Sequence, residues 1–161
     1  MSDSAAEQFT EQIGVILEKE GHARCAGRLF ARLLLAEHET SLDDLAQQLG
    51  MSKASVSINA RLLEQHGVLE KVSHAGDRRD YYRVSEDLFG RMMEQRLAKW
   101  TRLHEAVSNA RRDLPLHDAD VRQRLDDFAD GSERIIGIIR ESLTAWRYRL
   151  GRRRRDLSAT H

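Results

Sequence analysis

Apolar residues recur every three or four positions through most of the chain, which is the spacing of helices that bury one face. This period predicts six helices, over residues 5–20, 24–37, 42–49, 53–66, 85–113 and 118–150. Residues 68–72 and 81–84 are rich in β-forming side chains and predict a hairpin whose tip is charged. The predicted fold class is therefore mainly α with one small β-hairpin.

The last predicted helix is too long to bury its apolar stripe on a compact domain of this size. At about 1.5 Å per residue it spans roughly 50 Å. We expect it to pair with a second copy of the chain, because two-fold homodimers are the commonest such assembly. The alternative is that it packs only against helix 85–113 of its own chain. The predicted dimerisation residues are Phe9, Ile13, Val121, Leu125, Phe128, Ile135, Ile139, Leu143 and Trp146.

The segment SLDDLAQQLGMSKASVSINARLLEQHG has the pattern of a helix–turn–helix that binds DNA. Gly50 permits a tight turn, and Ser52 starts the second helix as a cap. On that second helix, small, hydroxylic and basic side chains lie opposite the apolar face, so they are able to enter a major groove. The alternative for single residues is an exposed face without a partner. The predicted DNA-contacting residues of this helix are Ser52, Lys53, Ser55, Ser57, Ile58 and Arg61.

The hairpin tip, HAGDRRDYY, offers two arginines between two aspartates. A guanidinium at a loop tip suits a narrow minor groove, where the negative potential of DNA is enhanced. We therefore predict that Arg78 and Arg79 contact DNA. The alternative is that Asp77 or Asp80 forms an ion pair that only stiffens the loop.

The run from Arg24 to Val84 resembles the winged helix–turn–helix of MarR-type bacterial transcriptional regulators, and within them the GbsR-like branch. The resemblance is carried by AGRLFARLLL, by the helix–turn–helix with the following GVLEKV, and by GDRRDYYRV, whose Asp77-Arg78-Arg79 is similar to the family's Asp-x-Arg wing signature. It implies a homodimer with terminal helices at the interface. It also implies a recognition helix in the major groove and Arg79 in the minor groove.

Composition adds that any nucleic-acid site must be local. The 161 residues include 26 basic and 26 acidic side chains, so the formal net charge is zero. Proteins that coat nucleic acid regardless of sequence are usually far more basic. The net charge is −5 over residues 1–51, +2 over 52–84, −2 over 85–139 and +5 over 140–161.

Other chemistry is sparse. Cys25 is the single cysteine, and its spacing from His22 suits metal ligation, but nothing in the sequence brings further ligands to them. We expect no metal and no cofactor, with a role for Cys25 as a redox sensor or a small core residue left open. No nucleophile–base pair, phosphate-binding glycine loop or paired-carboxylate motif stands out, so an enzyme is not expected.

These observations predict four regions: a dimerisation helix at 1–22, a winged helix–turn–helix at 23–84, long dimerisation helices at 85–150 and a disordered basic tail at 151–161. We predict a sequence-specific transcriptional repressor that binds a pseudo-palindromic operator in double-stranded DNA as a homodimer. Whether a small-molecule effector also binds is left open. Neither a signal peptide nor a membrane-spanning stretch is visible, so a cytoplasmic location is expected. The alternative is a winged-helix scaffold for protein contact without specific DNA binding.

Overall fold

The computed structural model describes residues 3–115 and 117–158 and confirms a mainly α fold with a small antiparallel sheet. In chain order the elements are α1 (Asp3–Lys19), α2 (Arg24–Leu34), β1 (Thr40–Ser41), α3 (Leu42–Leu49), α4 (Lys53–Gln65), β2 (Leu69–Val72), β3 (Tyr81–Val84), α5 (Leu88–Asp113) and α6 (Ala119–Ser158). The described residues divide into an N-terminal unit that ends at Leu88 and a C-terminal unit that begins at Phe89.

The core of the N-terminal unit joins three helices to the hairpin. Its most deeply buried large side chains are Leu29 of α2, Leu45 of α3, Val56 of α4, Leu69 of β2 and Tyr82 of β3. Each is the inward member of an amphipathic pattern, so burying them together removes apolar surface from all five elements at once. This shared core fixes α4 against both α3 and the hairpin.

The sheet contains one strand more than the sequence pattern predicts. Its order is β1-β3-β2, and both pairings are antiparallel. In the hairpin, Glu70 lies opposite Arg83, and the two side chains form an ion pair at 3.1 Å. The additional strand β1 has two residues, which is too short to show an alternation of polar and apolar positions.

Helix α1 belongs to the N-terminal unit, where it packs against α2. The two backbones meet at glycines: a Cβ placed on Gly27 would lie 2.8 Å from the Cα of Gly14. Ion pairs flank this crossing, since Glu11 lies 2.8 Å from Arg24 and 2.6 Å from Arg28. The hydrogen bond from Arg24 lowers the pKa of Glu11, despite the opposing effect of burial.

Within the C-terminal unit, α6 carries a buried stripe with one polar member. The stripe consists of Ala129, Ser132, Ile136, Ile139 and Leu143. Ser132 donates a hydrogen bond to the carbonyl oxygen of Ala129 at 2.8 Å, and its Oγ lies 2.8 Å from Nδ1 of His104 on α5. A buried hydroxyl without a partner would be costly, so this pairing favours one register between α5 and α6.

Two sequence-based boundaries are wrong. The first is the start of α5, which was expected at Ser85. The N–H of Ser85 donates to the carbonyl oxygen of Val68, and its hydroxyl donates to Glu70. Ser85 therefore stays with the sheet, and the helix begins at Leu88. The tail expected to be disordered from 151 continues α6 to Ser158, and residues 159–161 lie outside the described residues. Arginine is a good helix former and its charge is favourable near a helix C-terminus, which accounts for the continuation.

Candidate nucleic-acid interface

The turn between α3 and α4 has the geometry of a helix–turn–helix. Gly50 ends α3 in the left-handed conformation, with φ of 62°, which glycine adopts without strain. Ser52 then caps α4, since its hydroxyl accepts a hydrogen bond from the backbone N–H of Ser55 at 3.2 Å. The sequence predicted both roles, and together they set the direction in which α4 leaves the turn.

Helix α4 presents a largely polar face, in which Ile58 is the most exposed large apolar side chain. Val56 and Ala60 are fully buried, whereas Ile58 is 68% exposed and Arg61 is exposed with it. Ser57 is half-buried at the edge of this face. A large apolar side chain this open to water is typical of a surface that has a partner.

Two polar residues of α4, Ser55 and Asn59, are turned toward the protein. Asn59 is 8% exposed, and its side chain donates to the carbonyl oxygen of Ser55 at 2.8 Å. Ser55 is half-buried, with its Oγ 3.5 Å from Sγ of Cys25, which also lies 3.6 Å from Sδ of Met51. Cys25 therefore packs beneath the beginning of α4, and Ser55 is less accessible than the sequence pattern suggested.

The tip of the wing, formed by β2, β3 and the loop between them, holds one arginine in place. Asp77 accepts hydrogen bonds from Nη2 of Arg79 at 2.7 Å and from its Nε at 3.0 and 3.1 Å. The hydroxyl of Tyr81 donates to the same carboxylate at 2.8 Å, and its ring centroid lies 5.3 Å from the guanidinium carbon. These contacts orient Arg79 while its side chain stays 55% exposed.

The same contacts shift the ionisation of the wing. The hydrogen bond from Arg79 holds the pKa of Asp77 well below its usual range, and the hydrogen bond to Asp77 raises the pKa of Arg79. The hydrogen bond to Asp77 also raises the pKa of Tyr81. The ion pair thus favours the charged form of both side chains.

The wing is tied to the loop before β1 through His74. Its Nε2 lies 3.3 Å from Oε1 of Glu39, and its ring packs edge-on against Tyr81 with centroids 4.6 Å apart. Tyr81 therefore contacts both His74 and the Asp77–Arg79 pair. Its part in positioning Arg79 was missed, because a tyrosine in a strand pattern carries no signal for a partner across a loop.

Most cations of the winged helix–turn–helix already have an acidic partner within the chain. Four ion pairs join Lys53 to Asp43, Lys71 to Asp80, Arg79 to Asp77 and Arg83 to Glu70. Among the described residues, Arg61 and Arg78 are the two cations between residues 52 and 84 that form no ion pair. The positive charge that this region offers to a distant anion is correspondingly small.

The residues predicted for dimerisation differ in how far their own chain covers them. Ile139 and Leu143 are buried within the chain, whereas Phe128 is 40% exposed. The half-buried members are Phe9, Ile13, Val121, Leu125, Ile135 and Trp146.

A second apolar stripe on α6 contains Phe128, the most exposed of these residues. It runs beside the buried one, and we call it the outer stripe: Phe128, Gly131, Ile135 and Ile138. Ile138 is 63% exposed, and a Cβ added to Gly131 would meet nothing within 4 Å. The sequence pattern merged the two stripes into one and missed Ile138, although its spacing from Phe128 and Ile135 was the available signal.

Aromatic side chains of the C-terminal unit pack against one another in pairs. In the C-terminal unit, Phe89 packs against Trp146 and Trp100 against Phe128, with ring centroids 5.0 and 6.3 Å apart.

In the described part of the chain, no three His, Cys, Asp or Glu side chains come together as a metal site requires. None of the described helices is long and apolar enough to cross a membrane.

Comparison with known proteins points to one family. The sequence model of the MarR family matches residues 33–80. The HTH-type transcriptional regulator MmpR5 of Mycobacterium tuberculosis is 30% identical over 145 residues, which cover 89% of this chain and 88% of that protein. The HTH-type transcriptional repressor GbsR of Bacillus subtilis is 26% identical over 116 residues, or 70% of this chain and 64% of that protein. A crystal structure of a transcriptional regulator matches with a TM-score of 0.76 at 28% identity, covering 89% of this chain and 99% of that one.

Proposed function

Since the chain belongs to the MarR family of DNA-binding transcriptional regulators, we propose that it is a repressor that binds a pseudo-palindromic operator as a homodimer. In this proposal α4 enters the major groove and the wing enters the adjacent minor groove. Members of the family are DNA-binding regulators and not enzymes, in agreement with the sequence-based prediction.

The exposed face of α4 is the observation that carries the proposal. Val56 and Ala60 bind the helix to the core, which leaves Ile58 and Arg61 facing away from it. An arginine pairs with a guanine edge through two hydrogen bonds, and an apolar side chain contacts a thymine methyl group. Lys53 and Ser57 complete a face that combines base contact with phosphate contact.

The wing supports the minor-groove half of the proposal. Arg79 is held by Asp77 and Tyr81 but is still about half exposed, so little side-chain freedom is lost when it enters a groove. Arg78, without an ion pair among the described residues, is suited to a neighbouring phosphate.

The outer stripe of α6 supports the homodimer. Phe128 and Ile138 expose a continuous apolar strip on a helix of 40 residues, and a second copy of the same strip would cover it. Ile16 of α1 is 52% exposed and adds to the apolar surface that is available. Two-fold symmetry then places two recognition helices on half-sites about 34 Å apart, which makes the operator pseudo-palindromic.

We infer the repressor role from the GbsR relative, which is a transcriptional repressor. A dimer that occupies an operator overlapping a promoter excludes the polymerase by occupancy alone. A small-molecule effector that changes the spacing of the two recognition helices stays a prediction.

The test is a selection of genomic fragments by the purified full-length protein at physiological salt, followed by sequencing. We expect a few fragments that share an inverted repeat with half-sites one helical turn apart. Recovery of random fragments, or of none, would contradict the proposal and favour the protein-contact scaffold. A reporter gene placed behind the recovered operator then measures the direction of regulation, with repression expected.

A further inference from the structure

Lys53, in the first turn of α4, is held by a carboxylate from the preceding helix. Its Nζ lies 2.7 Å from Oδ1 of Asp43, and the two side chains are 62% and 52% exposed. An ion pair this open to solvent contributes little to folding stability, because water and salt screen it. Lys53 is therefore able to exchange Asp43 for another anion at small cost.

Asp43 lies on the helix that comes nearest to the DNA backbone in this type of motif. In helix–turn–helix proteins the first helix crosses the backbone while the second reads the groove. Asp43 and Asp44 occupy the first turn of α3. Asp44 is engaged locally, since Ser41 donates a hydrogen bond to its Oδ2 at 2.6 Å, whereas Asp43 has Lys53 as its partner across the turn.

The Lys53–Asp43 pair differs from the other ion pairs of the winged helix–turn–helix. Arg79–Asp77, Lys71–Asp80 and Arg83–Glu70 join residues within the wing. Among the described residues, Lys53–Asp43 is the ion pair that joins α3 to α4. It therefore engages a side chain of the recognition helix.

We propose that Asp43 tunes the affinity of the recognition helix for DNA, because it competes with DNA phosphate for Lys53. On any duplex, a phosphate must displace the carboxylate before it binds the Lys53 ammonium group, so binding is weakened by the cost of breaking the ion pair. The inference rests on the proposed placement of α4 in the major groove.

The experiment compares the full-length protein with its Asp43→Asn variant on a mixed-sequence duplex and on the selected operator, over a series of salt concentrations. We expect the variant to bind both duplexes about 2–5-fold more tightly, which is the fold-change that corresponds to the free energy of an exposed ion pair. The gain should shrink as the salt concentration rises, because salt screens the pair that the substitution removes.

Asp127→Asn is the matched control for the change in total charge. Asp127 is an exposed residue of α6 that accepts a hydrogen bond from Gln123, which an asparagine oxygen is also able to accept. Circular dichroism verifies the fold of each variant, and Asp43→Ser provides a second substitution that a helix start tolerates. An effect of Asp43→Asn no larger than that of Asp127→Asn would overturn the inference.

Repeating the comparison in a Lys53→Ala variant separates competition for Lys53 from simple charge repulsion by Asp43. If Asp43 acts through Lys53, the gain in affinity shrinks to the control level when Lys53 is absent. A gain that persists there would show plain charge repulsion and overturn the competition for Lys53. If Lys53→Ala leaves the affinity for both duplexes unchanged, the placement of α4 fails as well. If the protein still selects an inverted repeat but Asp43→Asn has no effect, this inference is rejected and the proposed function is retained.

Discussion

Arg79 reaches the tip of the wing with its orientation already set by Asp77 and Tyr81. An arginine that is held in its binding geometry loses less rotamer freedom when it meets DNA, so more of its interaction energy appears as affinity. Arg61, on the exposed face of α4, has no comparable support from an ion pair. The two arginines are therefore expected to contribute through different physical routes.

Substituting either arginine tests these roles directly. We expect Arg61→Ala and Arg79→Ala each to weaken operator binding by about 1–3 kcal/mol, the range for a base contact. Fluorescence anisotropy with a labelled operator measures the loss, and Arg102→Ala, on an exposed part of α5, serves as the control. Unchanged affinity in both variants with the fold intact would contradict the assigned surface.

The Asp77 carboxyl is expected to remain ionised under acid conditions that protonate ordinary surface carboxylates. The hydrogen bond from Arg79 lowers the pKa of Asp77 in the folded protein, so the stabilisation is present above the unfolded-state pKa and is lost as the pH falls through the lower, folded-state pKa. A carbon-detected NMR titration of the carboxyl should therefore show its midpoint below the ordinary value of 3.8. In Arg79→Ala the midpoint should return toward that value. A midpoint that is ordinary in the unsubstituted protein would refute the wing geometry.

For single residues, the sequence predicted which side chains are exposed, but it did not predict which side chains contact one another. The exposure of Ile58 and Arg61 followed from helical periodicity, because Val56 and Ala60 mark the buried side. The attachment of Ser55 to Cys25 did not follow, since it depends on how α2 packs beneath α4. Tyr81 and Asp43 were missed for the same reason: each contacts its partner through a turn or a loop whose path no local pattern specifies.

At the scale of elements, boundaries set by local caps were predictable and those set by tertiary contacts were not. Ser52 caps α4 as its sequence context indicated, and Ser41 caps α3 in the same way. Ser85 is an equally good cap by type, yet the sheet engages both its N–H and its hydroxyl. The strand β1 exists only because β3 offers a free edge to it, so nothing within its two residues predicted it.

The glycine crossing of α1 and α2 gives a prediction at this scale. Gly27→Ala would place a Cβ 2.8 Å from the Cα of Gly14, and because backbone is unable to yield as a side chain does, the helices must separate. We expect a loss of about 1–3 kcal/mol in unfolding free energy, typical of overpacking, measured by urea denaturation. Gly151→Ala, where the nearest atom is the end of a flexible arginine at 3.9 Å, is the control and should be neutral or stabilising. Equal stability of the two variants would refute the close approach.

At the scale of the whole molecule, α6 is divided into a stripe that its own chain buries and an outer stripe that is available for the proposed dimer. The buried stripe packs within the chain, whereas the outer stripe exposes apolar surface that a folded single chain leaves uncovered. Periodicity alone was unable to distinguish the two, because stripes that lie one residue apart merge into one broad apolar face.

Ile138→Glu tests whether the outer stripe is the dimer interface. The side chain is 63% exposed within its own chain, so a glutamate is tolerated in the folded protomer, but two-fold pairing would bury the charge without a partner. We expect the variant to sediment as a monomer with unchanged helical content at concentrations where the unsubstituted protein is a dimer. Thr144→Glu, at another exposed position of α6, should remain dimeric. A dimeric Ile138→Glu protein would place the interface elsewhere.

The contact between Gly14 and Gly27 also has a mechanical consequence. No side chain separates the two backbones at this point, so there is no deformable layer in which α1 could slide or roll across α2. A displacement of α1 would therefore carry α2 with it, and α2 packs directly against α4. In the proposed dimer, the close contact at two glycines would thus couple the position of α1 to the position of the recognition helix.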